Sequence, residues 1–77
     1  MEGRLRQLLA DVLQLPGDRI TPALAMKDVE VWDSLRHMEL VAAIEKTFAL
    51  ELTFEEIVAM QSVSAIETVL GARGMTP

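Results

Sequence analysis

The 77-residue sequence has no cysteine and a single histidine. It can therefore form neither a disulfide nor a thiolate zinc site, and one imidazole cannot assemble a metal cluster. Aromatic residues are scarce, one Trp and two Phe in a chain that is 51% hydrophobic, so the core must be aliphatic. No apolar run approaches the roughly 20 residues of a membrane span. The N-terminus lacks the basic head and long apolar stretch of an export signal. There is no internal repeat and no low-complexity segment. Basic residues are also few. Seven Lys and Arg stand against twelve Asp and Glu, for a net charge of −5 and a pI near 4.6, which argues against a nucleic-acid phosphate binder. A body this small, with a radius of gyration of roughly 11 Å, has little room for a buried pocket of about 300–1,000 Å³. That disfavours an enzyme. The expectation is a cytoplasmic protein with no metal, no nucleic-acid partner and no membrane insertion.

What the sequence does contain is unevenly placed. Residues 1–26 and 57–77 are each electrically neutral, so the whole −5 lies in residues 27–56, where eight acids face Lys27, Arg36 and Lys46. A localised negative field favours encounter with basic partners, although it also serves simply to keep a surface solvated.

The apolar pattern is helical. Leu5, Leu8, Leu9, Val12 and Leu13 form an unbroken stripe, stopped by Pro16-Gly17. From Leu15 to Asp33 no period is sustained, yet Ile20, Leu24, Met26, Val29 and Val31 are scattered through the segment, which suits a long loop pinned to a core. From Ser34 to Phe48, with Leu35 at zero on a helical wheel, Leu40, Val41, Ile44 and Phe48 fall between about 140° and 240°. Leu35, Met38 and Ala42 fall between about 300° and 360°, a second apolar patch that the same core cannot cover. It is expected to face a partner. Thr53-Phe54-Glu55-Glu56 is a capping box opening a short helix. Ser62 or Ser64 caps a last helix carrying Val63, Ile66, Val69 and Leu70 and ended by Gly71. With few β-branched alternations, the expected fold is all-α: one domain over 1–77, a small four-helix bundle with helices near 2–15, 34–48, 54–60 and 63–71. Leu5, Leu9, Val12, Leu40, Ile44, Phe48, Val63, Ile66 and Leu70 should form its core.

No catalytic constellation is present. His37, at about 200° on the wheel, reads as a helix residue at the edge of the core with nothing to pair with as a general base. Asp28, Glu30 and Asp33 lack the density and turn glycine of a calcium loop. The five Met residues read as core filler, Met38 excepted. Ser34 lies where loop becomes helix, and a role as helix cap or first-turn residue accounts for it by spacing alone. The same position would tolerate a phosphate ester, because free N–H groups and the positive end of the dipole lie there.

Asp33-Ser34-Leu35, followed by Glu39-Leu40-Val41, Ile44-Glu45 and Phe48, resembles an acyl carrier protein. The resemblance continues in register through Leu52, the Thr53–Glu56 box, Val63 and Ile66 to Leu70. It covers about forty residues closely, and helix order and loop placement cover the remainder. It implies that Ser34 bears a covalent 4′-phosphopantetheine arm derived from coenzyme A. The arm would supply the thiol the chain lacks, and acyl groups would ride on it as thioesters. The carrier would present them without catalysing. Implied partners are a phosphopantetheinyl transferase and acyl-activating or acyl-transfer enzymes, met by a monomer. Asp33, Leu35, Arg36, Met38, Glu39, Ala42, Glu45, Glu55 and Glu56 are the candidate recognition residues, the acids steering weak, fast docking. Three departures point away from a generic fatty-acid role and toward a specialised fatty-acid or polyketide-type pathway. Val31 stands where the family often has Gly. Trp32 gives a Trp-Asp-Ser-Leu variant with His37 shortly after. Arg36 and Lys46 replace usual acids. The alternatives are an aminoacyl or peptidyl carrier, which tends to have His where this chain has Asp33, and an unmodified helical interaction module.

Overall fold

A computed structural model describes residues 1–75; the last two residues of the expected 1–77 domain lie outside the described residues. Among the described residues four helices form the bundle: α1 (Gly3–Leu13), α2 (Ser34–Phe48), α3 (Phe54–Ala59) and α4 (Val63–Ala72), with short 3₁₀ turns at Gly17–Arg19 and Met26–Asp28. Among the described residues there is no strand, only an isolated antiparallel bridge between Ala25 and Ser62. The radius of gyration is 11.1 Å.

Each helix is built by local signals that its sequence carries. The Leu stripe of α1 buries Leu5, Leu8, Leu9 and Leu13. The helix stops at Leu13 rather than near residue 15, because Gln14 adopts a left-handed conformation (φ 58°) before Pro16 is reached. On α2 the apolar face predicted from the wheel is buried: Leu40, Val41, Ile44 and Phe48. Thr53 and Glu56 form the capping box of α3, and the fully buried Met60 anchors its end. Ser62, not Ser64, caps α4 by accepting from the Ala65 N–H.

Gly71 does not end α4. It lies within the helix, which runs on to Ala72. Gly74 supplies the left-handed residue (φ 82°), with the Met75 N–H reaching the Leu70 carbonyl and the Gly74 N–H reaching the Gly71 carbonyl. This is a Schellman ending, in which the glycine sits beyond the last helical turn.

The core joins α1, α2, α4 and the loop through Leu5, Leu9, Leu13, Ile20, Trp32, Leu40, Ile44, Phe48, Met60, Val63, Ile66 and Leu70, with Ile57 of α3 packed against it. Val12, expected inside it, is only partly buried and packs against its edge. The long α1–α2 loop is pinned as its apolar content implied. Ile20 and Trp32 are buried, and Leu24, Met26 and Val29 pack on the core. Polar ties complete the pinning: the Arg6 guanidinium donates to the carbonyls of Gly17 (2.7 Å) and Ile20 (2.9 Å). Backbone N–H groups of Met26, Val63 and Ser64 bond across to Gln61, Leu24 and Pro22. Val31 is the exception, left exposed.

Candidate functional site: the N-terminal end of α2

The loop enters α2 through Asp33, and Asp33 is the cap. Its Oδ1 accepts the Arg36 N–H at 2.8 Å, and its carbonyl accepts the His37 N–H at 2.8 Å. Ser34 is the first helical residue and is exposed. The capping role that spacing offered Ser34 thus belongs to its neighbour, and the serine hydroxyl is released from it.

Beside Ser34 lies an open recess of about 240 Å³ between α2 and α3, lined by Met26, Ser34, His37, Met38, Ile57, Val58 and Gln61. It is mostly apolar, and one wall is imidazole. His37 is 8% exposed, and both its ring nitrogens are engaged. The Trp32 indole Nε1–H donates to His37 Nδ1 at 2.9 Å, and His37 Nε2 lies 2.9 Å from the Ile57 carbonyl. An indole N–H can only donate, so Nδ1 must be the acceptor, and the proton sits on Nε2, donated to Ile57. Sequence reasoning placed His37 at the core's edge and missed this bridge. The signal it could have used was the spacing of Trp32 and His37 across the cap, which are the two staple positions of a helix start.

The second apolar patch of α2 lies outside the core. Leu35 is 73% and Met38 51% exposed, and Ala42 is exposed. The structure adds two apolar residues of α3 that sequence reasoning did not single out, Phe54 and Val58, exposed by 78% and 49%.

The candidate recognition acids divide. Glu45 is not a free surface charge: its carboxylate accepts the Leu52 N–H at 2.9 Å and fixes the turn after α2. Glu56 is likewise committed, accepting from Thr53 and from the Arg73 guanidinium. The Arg73 hydrogen bonds, then those from Thr53, hold its carboxyl down at about 2. Glu39, exposed, lies 3.6 Å from the half-buried Arg36, and Glu55 is exposed on α3. Asp33 accepts the cap hydrogen bond from a neutral backbone N–H and, like Glu45, keeps its charge; among these acids only Glu39 and Glu56 have an arginine partner that offsets theirs.

Residues 3–70 match the phosphopantetheine attachment site family. A polyketide-8 synthase acyl carrier protein 1 of Streptomyces avermitilis is 26% identical over 66 residues, which span 86% of this chain and 79% of that protein. The chain belongs to the phosphopantetheine-attachment family of acyl carrier proteins. Its cofactor is covalently attached 4′-phosphopantetheine, and members of the family carry acyl groups rather than transform them.

The helix start fits such a group. An exposed primary hydroxyl on a rigid first turn can take a phosphodiester without displacing a buried side chain, and the dipole's positive end favours the anion. The recess alongside offers apolar wall to whatever the arm carries back to the surface. No helix is long and apolar enough to cross a membrane among the described residues.

Proposed function

We propose that Ser34 is the attachment residue and that the chain carries acyl intermediates, in a specialised polyketide- or fatty-acid-type pathway, for partner enzymes that dock on the exposed end of α2. The observation that carries this reading is the division of labour at the helix start. Asp33 does the capping, leaving the Ser34 hydroxyl exposed and unencumbered. Loading exchanges the Ser34 O–H for an O–P bond while the pyrophosphate of coenzyme A breaks, and adenosine 3′,5′-bisphosphate leaves with the displaced proton released to the transferase. Once attached, the arm supplies the thiol on which acyl groups ride as thioesters.

The chain's own residues hold the serine at a fixed place and offer the docking face. Leu35, Met38 and Ala42 supply apolar contact, extended by Val58 of α3, which lines the recess with Met38. Glu39 and Glu55 steer basic partners toward it, an effect on encounter rate more than on final affinity. Arg36 is paired with Glu39 at 3.6 Å. The specialised pathway is favoured by the streptomycete polyketide relative and by the Trp-Asp-Ser-Leu variant; Asp33 favours an acyl over a peptidyl cargo. The protein is expected to act as a cytoplasmic monomer.

The test is intact mass after incubation with coenzyme A, Mg²⁺ and a broad-specificity phosphopantetheinyl transferase. Wild type gains one phosphopantetheinyl group, and Ser34→Ala folds but gains none. A wild type that gains nothing would favour the unmodified interaction module. A Ser34→Ala protein that gains the mass would move the site elsewhere.

A further inference from the structure

The recess beside Ser34 has one polar wall, and that wall has a structural consequence. Counting from the cap Asp33, Trp32 is the residue before it and His37 is the fourth residue of the helix. These are the positions at which an apolar pair commonly staples the incoming chain to the first turn and sets the angle between them. Here the pair is Trp32 and His37, with ring centroids 6.1 Å apart and planes 27° from parallel. The contact is directional rather than merely apolar, because the indole N–H points at Nδ1. On the far side the same ring donates to Ile57, whose carbonyl also takes the Met60 N–H that closes α3. One side chain thus joins three elements: the end of the loop, the first turn of α2 and the end of α3. Ser34 sits between the two stapled residues in sequence and shares the recess with His37.

We propose that His37 is a positioning residue for the attachment serine: its bridge from Trp32 to Ile57 fixes the angle at which the chain enters α2, and with it the direction of the Ser34 hydroxyl and the width of the recess. The inference rests on Ser34 being the attachment residue. An apolar residue at position 37 would still pack on Trp32 and still fold. It would leave the buried indole N–H without an acceptor and α3 without its tie, so the first turn would sample several orientations. A serine presented in several orientations reaches the in-line geometry for phosphoryl transfer less often, which lowers turnover while leaving docking intact.

Three variants separate the two halves of the bridge. His37→Leu keeps volume and removes both bonds. His37→Asn can return an amide oxygen to the Nδ1 position and so restore the acceptor for Trp32. His37→Gln can return an amide N–H to the Nε2 position and so restore only the tie to Ile57. Loading by the transferase is followed at varied concentrations of the apo-protein. His37→Leu is expected to lose roughly tenfold in kcat with KM changed less than about twofold. His37→Asn is expected to recover most of that loss and His37→Gln little of it. An independent readout is the protein itself. In wild type, ¹⁵N NMR should show an unprotonated Nδ1 and a proton on Nε2, and the emission of the single tryptophan should shift in His37→Leu and return in His37→Asn. Should His37→Leu fail to fold, Trp32→Phe removes the donor, with some ring volume, and keeps an aromatic ring in the staple, and its loading kcat should fall in the same way.

A folded His37→Leu or Trp32→Phe protein loaded with unchanged kcat would overturn the proposal, as would equal rates for the Leu and Asn variants. A change confined to KM would assign His37 to docking instead and would equally overturn it. Failure of the underlying reading looks different: Ser34→Ala would accept the arm, while the tautomer and the tryptophan emission stayed as described.

Discussion

The two ends of α2 are held by different physics. At its C-terminal end, Ile44 and Phe48 are sealed into the aliphatic core, with the Arg4 guanidinium 4.8 Å over the Phe48 ring. At its N-terminal end, Leu35 and Met38 are left in water, and what holds the helix is polar and directional: the Asp33 cap, the Trp32–His37 bond and the His37–Ile57 bond. Apolar burial is strong but has no preferred direction, and it must cover the surface it uses. Hydrogen bonds fix orientation while covering little. A helix that must anchor a small domain and also present an exposed site can do both by dividing these means between its ends.

The largest expected effect lies at the anchored end. Phe48→Ala should cost about 3–5 kcal/mol. In a domain this small total stability is of order 5 kcal/mol, so chemical denaturation should find much of the variant unfolded at rest. An unchanged midpoint would mean that the anchored end does not depend on burial, and the contrast would fail.

At the presenting end the same size of change should do the opposite. Met38→Glu is expected to alter unfolding free energy by less than about 1 kcal/mol while sharply weakening association with the transferase, because it sets a charge in the apolar contact. A Met38→Glu protein that unfolds would make this end part of the core after all. Glu39→Lys, beside it, should slow association measured by stopped flow at low salt, and the difference from wild type should close as salt rises. Equal rates at low salt would remove Glu39 from the steering field.

A smaller effect belongs to the tie between α3 and the end of α4. Because the Arg73 hydrogen bonds lower the Glu56 carboxyl from 4.5 to about 2, the charged form is favoured by folding. Its contribution is present above pH 4.5 and is lost as pH falls through the window down to about 2. Glu56→Gln retains an amide able to close the capping box but has no proton to bind, so its stability should fall less steeply than wild type across that window. Parallel acid titrations, followed by circular dichroism, would show that the Arg73 pair contributes nothing. The smallest effect is at the turn after α2, where Ala49 is held at φ 54°, a conformation glycine adopts more readily. Ala49→Gly is expected to raise stability by less than about 1 kcal/mol, read as a small upward shift in Tm. A clear loss would show that the Ala49 methyl matters to the anchored end.

Much of this was legible beforehand, for a definable reason. Helical periodicity separates Leu40, Ile44 and Phe48 from Leu35, Met38 and Ala42 without any tertiary information, because about 100° per residue is a property of the helix alone. The Thr53–Glu56 box is equally local, since both partners lie three residues apart. Local pattern left a choice where two local solutions compete. Ser34 and Asp33 can each cap a helix, and the carboxylate took the role. Gly71 and Gly74 can each end one, and the helix ran on until Gly74 could take the left-handed turn with Met75 behind it. Val12 belongs to the α1 stripe by period, yet it lies at the rim of the α1–α2 interface, where an open groove remains.

The sequence by itself determined the all-helical class, the two-faced α2 and the motif Asp33-Ser34-Leu35 that carries the family resemblance, since each is encoded within a few turns of chain. Only the tertiary structure decided which acids are engaged within the chain and how the site is held. Glu45 is drawn to Leu52 and Glu56 to Arg73. His37 reaches Ile57, twenty residues away. Those choices depend on where separate elements come to rest against each other. Pairing across that distance follows from packing the whole aliphatic core, which no local pattern specifies.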